Sequence, residues 1–370
     1  MGLLRRLARA RLASRAVRRL RKAGFSDVRY DARAFQVRFT TNVHDEPRIL
    51  DLTPLLQRGS KLGRGSGLGR GSQLDSYIMG LQDPIPATWQ QARPLLRPVL
   101  RGATPGSPLR RQALPYLFEY VVIDHPEAMT YVAEDQFNTW GVRRDEVFAA
   151  ARANLEGATL RGTPTEVIRF VDNGDAYWTS HLLLEHWLEQ LAPQVGGVPV
   201  AFAPERGTLL VTTTTSPHLR AVFAQAEELY ARSSRPITPM AYVSDPHGCA
   251  EPWIPSPGHP LHHVARRAER ILAVQEYARQ AAHLTEPGAE LHLTGDDDTG
   301  WRTYAEWDEQ SLLPTADEVR VGDRTLSWPQ LAPRLTPVAG LDPVRWRAAD
   351  APPHRPAPAP REPRPQPRSR

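Results

Sequence analysis

The chain has 370 residues, of which 41% are hydrophobic and nine are tryptophan, so it is long enough for about two domains with cores of their own and is not wholly disordered. Its single cysteine, Cys249, excludes an internal disulfide framework and any zinc site built from several cysteines, and it fits a reducing, cytoplasmic setting. Of the net charge of +5, the first 22 residues carry +9 and the last 20 carry +4, which leaves −8 on the residues between them. Because a nucleic-acid groove needs its Lys and Arg on the folded surface, this distribution gives no strong nucleic-acid signal.

The N-terminal segment "MGLLRRLARARLASRAVRRLRKAGF" predicts one amphipathic helix that stops at Gly24. Arginine interrupts every apolar run, so neither a signal peptide nor a transmembrane segment is expected. Three roles stay open, namely a helix docked on its own domain, a helix on an anionic membrane surface and an organelle transit segment. Docking is favoured because the strands that follow need a partner for their apolar face. The predicted apolar stripe consists of Leu3, Leu7, Ala10, Ser14, Val17 and Leu20.

The next feature is the glycine tract "GSKLGRGSGLGRGS" at 59–72. A phosphate-binding Walker loop needs Gly-Lys-Ser/Thr after a fixed spacing, and a dinucleotide loop needs glycines at relative positions one, three and six. Neither spacing occurs in any register. The tract, taken as 59–73, therefore predicts a flexible insert and no cofactor site.

Strands and helices alternate along the following residues. Residues 28–40 and the pair "YLFEYVVID" and "AMTYVAED" have the two-residue period of antiparallel strands, whereas 143–155 and 178–191 have leucine and alanine at helical spacing. Residues 198–213 predict a hairpin with Pro204 in its turn and Gly207 in the left-handed conformation. A helix beginning at Ser216 and Pro217 and a final strand at 236–245 complete an α+β fold, with antiparallel sheets and helices packed on one face.

Beyond residue 254 the pattern indicates a small C-terminal α+β extension over 255–334. A helix is predicted at 260–284, and its predicted buried side consists of Val264, Ala268, Ile271, Val274 (or Gln275) and Ala278. Strands follow it, the last as a hairpin around Gly322-Asp323. Residues 335–370 are rich in proline and arginine and predict a disordered tail.

Six short segments, in order, resemble the YtpQ-like family of bacterial proteins of unknown function. They are "RILDLTPLL", "RPLLRPVLRG", Trp140 with "ARANL", "DNGDAYWTSHLLLEHW", "VPVAFAPERGTLLV" and "RPITPMAYV". The chain departs from the family's pattern at Gly207, where the family has an acidic residue, and at the glycine insert. The resemblance covers residues from about 15 to 254, within a predicted α+β domain of 1–254. It supports the fold class but implies no catalytic residues, because the family has no established activity.

One cluster of metal-binding residue types stands out between 245 and 263. It contains the zinc-ligand candidates His247, Cys249, His259 and His262, with Asp245 and His263 beside them. Imidazole, thiolate and carboxylate are the groups that bind zinc, although this spacing matches no zinc template. Solvated histidines are therefore the favoured interpretation, and zinc is the only cofactor considered.

Two further candidates depend on local spacing. His181, Glu185 and Glu189 recur at intervals of four, which on a helix predicts an exposed histidine–carboxylate pair. Cys249 as a nucleophile needs a base that lowers its thiol pKa, and His247 is the nearest in sequence.

The favoured function is a non-catalytic binding or protein-interaction module that uses its sheet or a helix–sheet groove. The alternative is a metal-dependent or thiol hydrolase built on 245–263. A third possibility is attachment to a membrane or RNA through the basic ends.

Overall fold

We describe the fold from a computed structural model of the chain. The glycine insert, Gly24 and the last 20 residues lie outside the described part. That part consists of residues 2–23, 25–32, 35–40, 47–52, 85–103, 108–125, 129–155, 166–171, 177–297 and 299–349.

The N-terminal unit is a helix docked on a three-stranded antiparallel sheet. Helix α1 (Gly2–Lys22) precedes β1 (Ser26–Asp31), β2 (Gln36–Thr40) and β3 (Pro47–Asp51), which pair in the order β1-β2-β3. The alternation in 35–39 puts Phe35, Val37 and Phe39 into the core, where they are at most 3% exposed. The predicted docking of the N-terminal helix and the predicted hairpin are both confirmed.

The buried face of α1 differs from the predicted stripe. Leu12, Ala13, Ala16 and Leu20 are buried, whereas Ala10 and Ser14 are exposed and Val17 is half-buried. Spacings of three and four fit both stripes, and Leu20 belongs to both, so the spacing alone does not decide which side of α1 the sheet covers. Part of the predicted stripe is therefore left on the surface.

The second sheet is built around the long strand β6. Its strands are β4 (Leu96–Arg101), β5 (Arg110–Leu114), β6 (Leu117–Asp124) and β7 (Met129–Tyr131), in the order β4-β6-β5, with β7 on the far end of β6. The helices of this region are α2 (Trp89–Ala92), a 3-10 turn (Arg93–Leu95), α3 (Gln136–Trp140) and α4 (Arg144–Ala153). The predicted strand pair and the helix at 143–155 are confirmed, with Val147 and Ala151 buried in the same cluster as Val121 and Ile123 of β6.

The third sheet has five strands in the order β12-β11-β9-β10-β8. These are β8 (Ile168–Val171), β9 (Pro199–Glu205), β10 (Thr208–Thr213), β11 (Ala241–Ser244) and β12 (Ala250–Pro252), joined by α5 (Ala192–Val195) and α6 (Leu219–Arg232). The predicted hairpin and final strand are confirmed. Gly207 is not among the residues with positive φ, so its predicted left-handed conformation is wrong, and Pro204 lies within β9 because its carbonyl accepts the N–H of Ile237 at 3.1 Å.

The sequence predicts an apolar face of six residues for helix α6, and five of them are buried, namely Leu219, Val222, Phe223, Ala226 and Tyr230. The sixth, Leu229, is half-buried and packs against the same core. Helix α6 begins at Leu219, two residues after the predicted first position, Pro217. The hydroxyl of Ser216, the predicted cap, still accepts the N–H of His218 at 3.2 Å. The start of this helix is thus close to its sequence signal.

The helix predicted over 178–191 is wrong. A 3-10 helix spans Trp178–Leu183, turns follow, and a second 3-10 turn covers Glu189–Leu191. The backbone leaves helical geometry because Leu184 is extended and His186, at φ 60°, donates its N–H to the carbonyl of Gly248 at 2.8 Å. Burial of 179–183 on all sides outweighs the helical spacing of the leucines.

The C-terminal region packs two small sheets against one helix. Helix α7 (His262–Ala281) precedes β13 (Leu291–Thr294), β14 (Arg302–Glu306), β15 (Leu313–Pro314), β16 (Glu318–Val321), β17 (Arg324–Ser327), α8 (Trp328–Leu331), a 3-10 turn (Ala332–Arg334), β18 (Leu335–Pro337) and β19 (Arg345–Ala348). The strand orders are β13-β14-β16-β17, with β14 and β16 parallel, and β15-β19-β18. The predicted hairpin at Gly322-Asp323 is confirmed.

Two predictions for this region are wrong. Residues 335–337 and 345–348 form strands, with Arg345 buried, so regular structure continues past the predicted start of the tail at 335. Helix α7 buries Ala265, Leu272 and Tyr277, whereas of the predicted side Ala268 is buried, Val264 and Ile271 are half-buried and Ala278 is exposed. The buried side differs because α7 contacts both the third sheet and the C-terminal sheets. The chain is thus an α+β protein, and no helix in the ranges described is long and apolar enough to cross a bilayer.

Candidate functional site

A surface groove of about 460 Å³ lies beside α1, at its contact with β1. The side chains that line it are Ala10, Ala13, Ser14, Val17, Arg18, Arg21 and Tyr30. Six of the seven belong to α1 and recur at helical spacing, so they share one face of the helix. The groove therefore occupies the part of the predicted stripe that the sheet does not cover.

The floor of the groove is apolar and made of small side chains. Ala13 is buried, Val17 is half-buried, and Ala10 and Ser14 are exposed. Tyr30, on β1, is 38% exposed and forms one wall. Small residues between larger walls leave a depression into which a ridge of side chains can pack.

The rim of the groove is positively charged. Arg18 and Arg21 line it, and the Arg21 guanidinium donates to the carbonyl of Val28 on β1 at 3.3 Å. Helix α1 contains no acidic residue, and nine of the first 22 residues are Arg or Lys. On the helix, the Arg9 guanidinium lies 4.3 Å from the centre of the Phe35 ring. An apolar floor with a cationic rim suits a ligand that is apolar on one side and acidic on the other.

The predicted zinc candidates do not gather around a common point. The Asp245 carboxylate accepts the backbone N–H groups of His247 and Cys249, each at 2.8 Å. His259 accepts the N–H of Leu261 at 3.1 Å through Nδ1, and Nδ1 of His262 lies 2.8 Å from the carbonyl of Pro255. Among the residues that the structure describes, no three His, Cys, Asp or Glu side chains could hold a metal ion together.

Cys249 is not in an environment that activates a thiol. Its side chain is exposed, and partial burial, followed by the charges of Asp245 and Glu185, raises the pKa of the Cys249 thiol. The charge of Arg152 acts in the opposite direction but is the smallest of these effects. A reactive cysteine needs a lowered thiol pKa.

The predicted pair of His181 with Glu185 is wrong, because the two side chains do not share a face. His181 is 1% exposed and lies against the rings of Trp178 and Trp187 at 5.2 and 4.9 Å, whereas Glu185 is exposed. Glu189 instead contacts Nδ1 of His186 at 3.0 Å. Burial lowers the pKa of His181, so its imidazole is neutral at pH 7.

One feature that the sequence does not reveal is a buried arginine, Arg101, at the end of β4. It is 5% exposed, and Arg206, in the turn between β9 and β10, and Arg235, after α6, lie close enough to affect its pKa. Its position in the strand "LRPVLR" resembles that of any surface arginine. Arg206 and Arg235 lie more than 100 residues further along the chain, so no local pattern could have indicated that their charges affect the pKa of Arg101.

Comparison with known proteins identifies no relative. No family model, no curated protein and no solved structure matches this chain. The resemblance to the YtpQ-like family stays a prediction.

Proposed function

We propose that the chain is a non-catalytic protein-interaction module whose helix–sheet groove binds an acidic, amphipathic segment of a partner protein. The observation that carries the proposal is the apolar groove with Arg18 and Arg21 on its rim, on a helix that has no acidic residue. The proposal includes a cytoplasmic location, for which the single cysteine argues, and membership of the YtpQ-like family, for which the six segments argue.

The shape of the groove favours a protein segment over a bilayer. Helices that lie on membranes insert protruding, bulky apolar side chains among the lipids. Here the apolar surface is concave and its floor consists of Ala10, Ala13, Ser14 and Val17. Such a floor receives side chains from a partner, and an amphipathic segment buries its apolar side there while its acids meet the arginines.

The chemistry of the floor also favours protein over nucleic acid. Phosphate backbones are bound by cations and by polar donors along a track. The lining of this groove is mainly alanine, valine and a tyrosine ring, and two of its seven residues, Arg18 and Arg21, are cations. Apolar contact at the centre with charge at the rim is the arrangement of protein interfaces.

The alternative hydrolase on 245–263 draws less support. Its histidines and Asp245 make local hydrogen bonds, and the pKa of Cys249 is raised rather than lowered. A nucleophilic cysteine needs a lowered thiol pKa and a base within hydrogen-bond reach.

The test compares variants of the full chain in capture of partners from an extract of its own cells, treated with nuclease and cleared of membranes. Ser14→Trp fills the groove from an exposed position, so it should abolish capture without affecting the core. Arg18→Gln removes a rim charge and should weaken binding about 2- to 5-fold, whereas Arg15→Gln makes the same charge change on an exposed site that does not line the groove.

The captured partner is then reduced to a synthetic acidic segment, and its affinity is measured by fluorescence anisotropy at two salt concentrations. We expect weaker binding at high salt, because exposed charges are screened. Any of three results would refute the proposal. The parent chain and Ser14→Trp capture equally, no protein is captured at all, or treatment with nuclease or removal of membranes abolishes capture.

A further inference from the structure

The segment from Tyr177 to His186, called here the 177–186 segment, has an unfavourable backbone conformation at both ends. Tyr177 has φ 48° and His186 has φ 60°. Left-handed backbone is rare for bulky side chains and persists only where the surroundings impose it. Between these two residues the 3-10 helix Trp178–Leu183 runs for six residues, and 3-10 stretches of this length are uncommon and often mark a hinge.

Two hydrogen bonds hold the 177–186 segment to its neighbours. The Tyr177 hydroxyl donates to Oδ1 of Asp124, the last residue of β6, at 2.6 Å. The N–H of His186 donates to the carbonyl of Gly248, between β11 and β12, at 2.8 Å. The 3-10 helix between them contacts β4 of the second sheet and β10 of the third. The segment therefore lies at the junction of these two sheets.

The middle of the segment buries two polar atoms that lack a partner. Ser180 and His181 are each 1% exposed. Neither Oγ of Ser180 nor Nε2 of His181 has a hydrogen-bond partner among the residues that the structure describes. A buried polar atom of this kind loses its hydrogen bonds to water and gains none in return. Both atoms therefore favour a state in which the segment is open to solvent.

His181 is the residue through which acid acts on the segment. Its Nδ1 lies 3.3 Å from the carbonyl of Tyr177, so Nδ1 carries the hydrogen of the neutral ring and acid protonates Nε2. The rings of Trp178 and Trp187 lie 5.2 and 4.9 Å from the imidazole. The second proton thus adds a buried charge and a donor without an acceptor, and attraction to the indole rings offsets only part of that cost.

No side-chain charge compensates for this proton in the part of the chain described. Burial lowers the pKa of His181, and only hydrogen bonds with the backbone of Tyr177 and Trp178 act against it. Strand β10 carries no charged side chain. The charged or titratable side chains on the other neighbouring elements do not affect the pKa of His181, and they are Arg97, Arg101, Asp124, Arg169, Glu185 and His186.

We propose that the 177–186 segment is a pH-sensitive switch between the second and third sheets, which opens when His181 is protonated. In the closed state described above the imidazole is neutral, whereas in the open state it reaches water, where the pKa of histidine is about 6.5. The open state therefore binds a proton more readily. Below that pH the ratio of open to closed molecules rises by up to about 10-fold for each pH unit.

The test is hydrogen–deuterium exchange of the full chain at about pH 7 and about pH 5.5, corrected for the pH dependence of the intrinsic exchange rate. The amides of Ser180, Leu184 and His186 report on the segment, because they donate to the carbonyls of Tyr177, His181 and Gly248. We expect their protection to fall by up to about 10-fold at the lower pH, while that of helix α6 is kept. An equal loss of protection in α6 would indicate general destabilisation by acid and would overturn the proposal.

Two substitutions remove the titratable group. His181→Leu places an apolar side chain at this position and His181→Gln a polar one, and in both variants the protection of the segment should no longer depend on pH. His283→Leu is the matched control, because His283 is an exposed histidine just after α7, and it should keep the pH dependence of the parent chain. Loss of protection at about pH 5.5 that persists in both His181 variants would exclude His181 as the trigger.

Two further variants shift the switch in opposite directions at one pH. Tyr177→Phe removes the hydrogen bond to Asp124 and should lower the protection of the segment about 5-fold. Ser180→Ala removes a hydroxyl that lacks a partner only in the closed state, so it should raise the protection by a similar factor. A loss in both variants, or no change in either, would contradict the switch. The switch is independent of the proposed function, since none of its residues lines the groove on α1.

Discussion

Arg345 offers the sharpest test of how the C-terminal sheets are held on α7. Its side chain is 0% exposed. Nε donates to the Gln280 side chain at 2.6 Å, Nη1 to the carbonyls of Ala289 and Leu312 at 2.9 Å each, and Nη2 to the carbonyl of Tyr277 at 3.2 Å. One side chain therefore joins α7, the segment before β13 and the segment before β15 to β19.

The size of the effect follows from these four bonds. Hydrogen bonds to charged groups contribute about 1.5–3 kcal/mol each, and they are not additive within one network. Arg345→Met removes the charge itself and leaves the Gln280 oxygen and three backbone carbonyls without this donor, and a buried acceptor left unsatisfied costs about 1–3 kcal/mol. Because these costs are not additive, we expect Arg345→Met to lower the free energy of unfolding of this region by about 3–5 kcal/mol.

Arg347 is the matched control on the same strand. It is 28% exposed and pairs with Glu286 at 2.7 Å, so Arg347→Met should cost at most about 1 kcal/mol. Urea unfolding followed by tryptophan fluorescence measures both variants, since Trp307 and Trp346 belong to this cluster. Equal effects of the two substitutions, or a loss below about 1 kcal/mol for Arg345→Met, would refute the role of the buried network.

Three further predictions use the same unfolding assay or simple thiol chemistry. Gly102→Ala should lower the free energy of unfolding by about 1–3 kcal/mol. A Cβ at this position would lie 2.7 and 2.8 Å from the two carboxylate oxygens of buried Glu276 and against the Arg279 guanidinium. An unchanged urea midpoint would contradict this close approach. Burial lowers the pKa of His181 in the folded state, so its contribution to stability is present above the unfolded pKa of about 6.5 and is lost as pH falls below it. His181→Leu should accordingly flatten the fall in urea midpoint between about pH 7 and pH 5, and identical pH profiles would exclude that explanation. Cys249 should react with iodoacetamide at pH 7 more slowly than a model thiol, because its pKa is raised, and faster reaction would restore it as a nucleophile.

Regular strands were the most predictable part of the fold. Residues 35–39 alternate strictly, and the apolar run of 198–213 is broken once, at Arg206-Gly207. A period of two leaves one choice of buried face once the sheet has a core. The structure of these segments could therefore be predicted from their own residues.

Helix faces were less predictable, because alanine-rich helices offer more than one apolar stripe. In α1 the stripe with Leu12 and Leu20 and the stripe with Ala10 and Val17 both have helical spacing. In α7 the buried side is set by two different neighbours, which cover Leu272 and Tyr277. Only the packing partner decides between such stripes.

The segment 178–191 and the buried Arg101 could not be predicted from neighbouring residues in the sequence. The leucines at 184, 188 and 191 have helical spacing, yet the contact of His186 with Gly248 and the burial of 179–183 impose turns. More than 100 residues of chain separate Arg101 from Arg206 and Arg235, so nothing in the local sequence of β4 indicates that these two charges affect the pKa of Arg101. The sequence predicted binding through a sheet or a helix–sheet groove without naming residues, and the lining of the groove beside α1 depends on which stripe the sheet leaves uncovered.

Hydrogen–deuterium exchange of the full chain, with and without the saturating acidic segment of its captured partner, tests the proposed function most directly. Binding in the groove predicts slower exchange of the amides of residues 10–21 in α1 and 28–31 in β1, with no change over 245–263. Protection confined to 245–263 or to the sheet edges, with the exchange of α1 unaltered, would contradict it.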